Sequence, residues 1–195
     1  MTRRLIAPTL VSLVVLFAAS PARAGLLPVS VSVLPDGSNF RWTYAVVLPT
    51  DSQLQSGDYF TIYDFGGLVT GSITAPTGWT VNVADTGTTP TRVNPDDNAT
   101  LPNLTFTYGG STINTGQTGL GNFWADSTFS VATDSFFAAQ THRTSDGRPD
   151  SNITETVVPV PVGVAPPPGV PEPATLLLAG LGLPLVGAAR LLRRK

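Results

Sequence analysis

The sequence contains no cysteine among its 195 residues and only one histidine, His142. The first absence excludes disulfide bonds, thiol catalysis, cysteine-ligated zinc and iron–sulfur clusters. The second excludes metal sites built from several histidines and leaves one candidate for an imidazole base. A folded domain in this chain therefore has to be stabilised by packing alone, without covalent cross-links.

Positive charge is scarce in the middle of the chain. Between Gly25 and about Val170, some 146 residues, there are four arginines and no lysine, against eleven aspartates and one glutamate, a formal charge of −8. A surface of this sign repels phosphate backbones and anionic lipids, so neither nucleic acid nor an anionic membrane surface is predicted as a partner. The four arginines are Arg41, Arg92, Arg143 and Arg148.

The N-terminus has the three parts of a secretory signal peptide. Two arginines precede an apolar run over residues 5–19, and Ala22 and Ala24 place small side chains at the two positions that a signal peptidase inspects. We therefore predict a signal peptide over residues 1–24, removed before Gly25.

The C-terminus also combines three features in a fixed order. Pro171, Glu172 and Pro173 form a short box, which is followed by an apolar run over residues 174–189 and then by a basic terminus. The run reaches roughly 24 Å as a helix, and extension over residues 174–192 makes it long enough to span a bilayer. The positive-inside rule places the basic terminus in the cytoplasm and the middle of the chain outside. The basic residues are Arg190, Arg193, Arg194 and Lys195.

These C-terminal features over residues 170–195 resemble the PEP-CTERM sorting signal of exported proteins of Gram-negative bacteria. The resemblance implies recognition by an exosortase, a membrane-embedded enzyme that acts near the Pro-Glu-Pro box. It further implies a transient stay in the inner membrane, followed by release or transfer to the cell surface or to the exopolysaccharide matrix of a biofilm. The alternative is a permanent membrane anchor.

The middle of the chain alternates apolar and polar residues with a period of two, which is typical of β-strands. We predict a hairpin from Val29–Val33 and Phe40–Val46, then strands at 59–65, 68–74, 79–83, 104–108, 123–133, 135–140 and 153–158. No stretch of ten residues shows helical periodicity, so residues 25–158 are predicted to form one antiparallel β-sandwich, with a jelly roll as one form of it. A proline-rich linker over residues 159–170 and the sorting signal over residues 171–195 follow.

We call residues 25–158 the passenger domain. It contains few candidate sites. Tyr59, Tyr63 and Trp124 are candidates for a platform on which sugar rings stack, although aromatic residues on strands more often belong to the core. His142 has Ser145 and Asp146 close in sequence, but a serine triad is rarely that local. The segment 96–98 supplies oxygen ligands without the spacing of an EF-hand calcium loop. The sequence therefore predicts no catalytic residue, no metal site and no cofactor.

The sequence favours an exported, non-enzymatic protein of the cell surface or extracellular matrix. Its partners during export are signal peptidase and exosortase, and exopolysaccharide is a candidate partner afterwards. One alternative is a carbohydrate-binding module that uses exposed aromatic residues. Another is a hydrolase, which requires two carboxylates facing each other across a cleft.

Overall fold

The computed structural model describes residues 25–114 and 116–163, so the signal peptide and the sorting signal lie outside the described residues. In this part of the chain the secondary structure is entirely β, and no helix there could span a membrane. The predicted all-β antiparallel fold is confirmed. The strands are β1 (Leu27–Asp36), β2 (Asn39–Leu48), β3 (Ser52–Gln53), β4 (Tyr59–Ile62), β5 (Trp79–Ala84), β6 (Asn103–Tyr108), β7 (Thr118–Ser127), β8 (Val131–Arg143) and β9 (Pro149–Val160).

The smaller sheet has three strands in the order β1-β2-β7. Its first hairpin pairs Asp36 with Asn39 across Gly37, whose φ of +61° is a left-handed value that glycine adopts without steric cost. Along β2 every second residue is buried, beginning with Trp42 and Tyr44. The period-two pattern of the sequence therefore corresponds to one buried face and one outer face of this sheet.

The larger sheet has six strands, and the long strand β8 organises it. One edge of β8 pairs with β9 over the whole length of β9, while the other edge pairs first with β4 and then with the short β3. β6 and β5 continue the sheet beyond β4. All of these pairings are antiparallel.

The core lies between the two sheets and centres on Phe60 of β4. Its ring lies 4.8 Å from that of Phe137 and 4.9 Å from that of Phe123, measured between centroids. Phe123 belongs to the smaller sheet and meets Phe60 edge-on, at an interplanar angle of 88°. The Tyr44 hydroxyl adds a polar link between the sheets by donating a hydrogen bond to the carbonyl oxygen of Val157, 3.0 Å away.

The long connection between β5 and β6, residues 85–102, folds over the outer face of the larger sheet; we call it the β5–β6 loop. The carbonyl oxygen of Thr88 accepts hydrogen bonds from the hydroxyls of Thr61 and Tyr63, at 2.7 and 3.0 Å. Asn103, which begins β6, donates from Nδ2 to the carbonyl oxygen of Asp85 at 3.2 Å. The loop thereby buries Thr61 and Tyr63, which would otherwise lie on an outer face.

The strand predicted at residues 68–74 is wrong. Leu68 and Thr74 each make a single bridge to β7, and Gly71 between them adopts a φ of +80°, so the segment turns instead of remaining extended. The sequence also gave no sign of β3. The predicted strand at residues 123–133 divides, because β7 ends at Ser127 and β8 begins at Val131.

Candidate functional site

The predicted sorting residues Pro171, Glu172 and Pro173 lie outside the described residues, as do Ala22 and Ala24 of the predicted cleavage site. The basic terminal residues are outside them as well: Arg190, Arg193, Arg194 and Lys195.

Gly25 is the one residue of the predicted cleavage site that the structure describes. It is buried, and a Cβ atom at this position would lie 2.1 Å from Oδ1 of Asn152 on β9. Asn152 in turn donates from Nδ2 to the carbonyl oxygen of Leu26, 2.9 Å away. The segment after the predicted cleavage point is therefore held against the larger sheet, and a side chain at position 25 would require the Asn152 side chain to move.

The three aromatic candidates do not form one platform. Tyr63 is completely buried beneath the β5–β6 loop, so it offers no face to a ligand and is not a stacking residue in this structure. Tyr59 is partly exposed and alternates with the buried Phe60, which places it on the outer face of the larger sheet. Trp124 alternates with buried neighbours on β7, on the outer face of the smaller sheet. Tyr59 and Trp124 therefore face away from each other across the whole sandwich.

Trp124 is also in contact with a cation. The guanidinium carbon of Arg41 lies 5.6 Å from the centroid of its ring, within the range of a cation–π contact. Arg41 is held there by two carboxylates, since its Nε lies 3.3 Å from Asp126 and its Nη2 contacts Asp36. One face of Trp124 is thus covered by a side chain of the protein itself.

His142 pairs with a residue that the sequence did not suggest. Its Nδ1 lies 3.2 Å from Oδ2 of Asp58 in hydrogen-bond geometry, and 3.0 Å from Oδ1. Asp58 has no exposed surface, and it also accepts a hydrogen bond from the Gln55 N–H at 2.7 Å. Burial raises the pKa of the Asp58 carboxyl, against the lowering effect of these hydrogen bonds.

The sequence neighbours of His142 take other partners. Oδ2 of Asp146 lies 3.0 Å from Nη2 of Arg143, so Asp146 is committed to an arginine. Asp58 is separated from His142 by 84 positions and meets it only because β3 and β4 both pair with β8. No local pattern could have revealed this pairing.

Two carboxylates line a groove beside β1. The groove has a volume of about 310 Å³, and its walls include Val29 and Val31 of β1 together with Asp134 and Glu155. Asp134 is paired with Val157 and Glu155 with Phe136, so the two acids lie on neighbouring strands of one sheet. They share one wall of the groove instead of facing each other across it.

In the acidic segment 96–98, side-chain oxygens of Asp97 and Asn98 accept hydrogen bonds from the β5–β6 loop or from Asn103 at its end. The Asp97 carboxylate accepts hydrogen bonds from Nδ2 of Asn103 and from the Gly87 N–H, each 2.9 Å away. The pKa of the Asp64 carboxyl is raised by burial and, to a smaller extent, by the nearby carboxylates of Asp97 and Asp96. Asp64 also accepts a hydrogen bond from the Asn98 N–H. Among residues 25–114 and 116–163, no group of three or more histidine or acidic side chains is placed to hold a metal ion.

Three of the four passenger arginines meet at one pocket. Arg92 of the β5–β6 loop, Arg143 at the end of β8 and Arg148 before β9 line a cavity of about 460 Å³. In the sequence these arginines contribute only to the charge count, because Arg92 is brought to the β8–β9 hairpin by the fold of a long loop. We call this cavity the arginine pocket.

A comparison with known protein families identifies the C-terminal segment as a sorting motif. Residues 169–195 match the family described as the PEP-CTERM protein-sorting motif. The resemblance recognised from the Pro-Glu-Pro box, the apolar run and the basic terminus is therefore confirmed. No curated protein and no solved structure matches the chain.

This match defines the class of the protein. It is an exported protein that carries a C-terminal PEP-CTERM signal for exosortase, and its destination is the cell envelope or surface. The motif covers only the end of the chain, so the role of the β-sandwich has to be argued from its own residues.

Proposed function

We propose that the β-sandwich is a non-enzymatic structural or adhesive component of the cell surface or extracellular matrix. In this proposal signal peptidase removes residues 1–24, and the apolar run over residues 174–192 holds the chain in the inner membrane. Exosortase then processes it at Pro171–Pro173, and the passenger joins the exopolysaccharide matrix. The observation that carries the proposal is the sorting motif at residues 169–195.

The position at which the chain leaves the sandwich is compatible with this order of events. β9 ends at Val160, whose backbone partner is Val131 at the start of β8. The sequence from there to Pro171 is rich in proline, and as a polyproline II segment it would span roughly 30 Å. Such a spacer gives a membrane enzyme access to the box without unfolding the sandwich.

The charged residues of the sandwich also fit a role without catalysis. The two carboxylates of the β1 groove share one wall instead of facing each other. The strong negative charge of the passenger favours solubility outside the cell.

Replacement of Glu172 by alanine tests the sorting step, and the chain offers a matched control. Glu155 and Glu172 are its only two glutamates, and Glu155 is exposed on β9. We expect Glu172→Ala to leave a full-length form in the membrane fraction, whereas Glu155→Ala is processed like the unmodified protein. The measurement is the intact mass of the protein from matrix and membrane fractions of an exosortase-bearing host.

Two mass results decide the proposal. A matrix species that begins at Gly25 and ends near Pro171–Pro173 supports both processing steps. A species that retains Lys195 and stays in the membrane of the unmodified strain means a permanent anchor and overturns the proposal. Normal processing of Glu172→Ala would contradict the role given to the Pro-Glu-Pro box.

A further inference from the structure

The arginine pocket concentrates positive charge in a domain that has very little of it. The passenger carries four arginines against twelve acidic residues, yet three of the four line this one cavity. The fourth, Arg41, is engaged by Asp36, Asp126 and Trp124 on the smaller sheet. An even scatter of charge for solubility would not place three like charges together, because their mutual repulsion destabilises the fold.

Three separate elements build the pocket. Arg143 and Arg148 flank the β8–β9 turn, which is closed by a hydrogen bond from the Arg143 N–H to the Arg148 carbonyl oxygen at 3.0 Å. Arg92 comes from the β5–β6 loop and adopts a φ of +74°, a left-handed value that is unfavourable for a residue with a side chain. Thr91 and Ser151 add hydroxyl groups to the lining.

Arg143 provides a second, independent sign of a ligand. One of its terminal nitrogens lies 3.0 Å from Asp146, but its Nε is buried and has no hydrogen-bond acceptor among the described residues. An unsatisfied buried donor on a charged group is costly, so native proteins rarely retain one without a partner. The Arg143 side chain lines the pocket and is partly exposed, so an oxyanion there would supply the missing acceptor once the guanidinium turns its Nε towards the cavity.

The balance of charge at the pocket favours an anion. Asp146 is shared, since it also lies 3.9 Å from Nε of Arg148. The lining itself contains three guanidinium groups and no carboxylate. Since Arg148 is largely exposed, its side chain can turn towards a ligand at little cost.

We propose that the arginine pocket binds the carboxylate of an acidic sugar unit. A guanidinium presents its donors as a planar fork that matches an oxyanion in bidentate geometry, and the two hydroxyls suit the ring hydroxyls of a sugar. A volume of about 460 Å³ falls within the range of small-molecule sites. Inorganic phosphate or sulfate shares the oxyanion chemistry, and the choice of a glycan as its source rests on the matrix function proposed above.

The test measures binding by isothermal titration to the full-length protein in a neutral detergent. The probes are a glucuronate oligomer, a neutral glucose oligomer of the same length, and inorganic phosphate. The variants are Arg92→Gln, Arg148→Gln and the double change, all on exposed side chains, and they leave the partly buried Arg143 in place. Arg41→Gln is the matched control, because it changes the net charge equally on the other sheet.

We expect the glucuronate oligomer to bind and the neutral oligomer not to bind, with affinity falling as salt is added. Each single change should weaken binding about tenfold, the effect of one charge-assisted hydrogen bond, and the double change should abolish it. Arg41→Gln should bind like the unmodified protein. Circular dichroism of each variant verifies that the fold is retained.

Other results overturn the inference. Binding of phosphate alone would mean that the pocket is not a sugar site, and equal weakening by Arg41→Gln would mean that only bulk charge matters. Absence of glucuronate binding to the folded protein would refute the site itself. The masses that report on Glu172 are independent of this experiment, so failure of the pocket and failure of the sorting proposal are distinguishable.

Discussion

Asn103 anchors the β5–β6 loop to the larger sheet, and replacing it by alanine should release the loop. Its side chain is 1% exposed and makes three hydrogen bonds. Oδ1 accepts from the Asp64 N–H at 2.8 Å, while Nδ2 donates to the Asp85 carbonyl oxygen at 3.2 Å and to the Asp97 carboxylate at 2.9 Å. Asn103 thereby links Asp85 at the beginning of the loop to Asp97 near its end.

The loss of unfolding free energy in Asn103→Ala can be worked out from these contacts. Each neutral hydrogen bond contributes about 1 kcal/mol and the one to a carboxylate about 2 kcal/mol, while the Asp64 N–H loses its acceptor. We therefore expect Asn103→Ala to lower the free energy of unfolding by about 4 kcal/mol, a large part of the stability of a domain of this size. The loop should open before the sheets separate, because Phe60 and its neighbours remain packed.

Two measurements on the full-length protein in detergent separate these effects. Urea unfolding followed by tryptophan fluorescence reports on the sandwich, and cleavage by trypsin after Arg92 reports on the loop. Asn122→Ala is the matched control, since Asn122 is exposed on β7 and no hydrogen bond of its side chain is seen in the described part of the chain. If Asn103→Ala lost no more stability than this control and was cleaved no faster after Arg92, the reasoning would be refuted.

Two further predictions concern the core and the buried carboxylate. Phe60→Ala should lower the free energy of unfolding by about 3–5 kcal/mol in the same urea experiment, because four aromatic rings surround Phe60. A loss of unfolding free energy as small as that of the exposed Leu34→Ala would contradict the two-sheet core. Burial raises the pKa of Asp58, so the native state binds this proton more tightly than the unfolded state does. The stability of the unmodified protein relative to Asp58→Asn should therefore increase as the pH falls from the raised native pKa towards the ordinary value of 3.8, and a flat or opposite difference would refute the assignment.

The fold class was accessible from sequence because strand alternation is a local property. Trp42 and Tyr44 alternate with Arg41 and Thr43, and the structure buries the first pair while leaving the second on the outer face. The same rule failed at residues 68–74, where Gly71 interrupts the chain and only single bridges form. Apolar residues in an irregular segment can cover a sheet edge without forming a strand, and local alternation does not distinguish the two cases.

Tyr63 shows why exposure could not be predicted in the same way. Tyr63 directly follows β4 and continues the alternation of Tyr59 and Thr61 on the outer face of the larger sheet, and alternation alone would leave that face in solvent. The β5–β6 loop covers it through Thr88 and Thr89, which lie about 25 positions further along the chain. Which outer face is covered depends on the path of a long polar loop, and no periodic pattern encodes that path.

The sequence by itself determined the sorting signal of this protein and its all-β architecture. The sorting motif is a contiguous segment that an enzyme recognises along the chain, so its meaning needs no tertiary contact. The tertiary structure alone decided which side chains meet. Asp58 reaches His142, and Arg92 reaches Arg143 and Arg148, because strand pairing and loop folding join positions that are distant in sequence. Burial then sets the strength of these contacts, since a charge or a donor removed from water must find its partner within the fold.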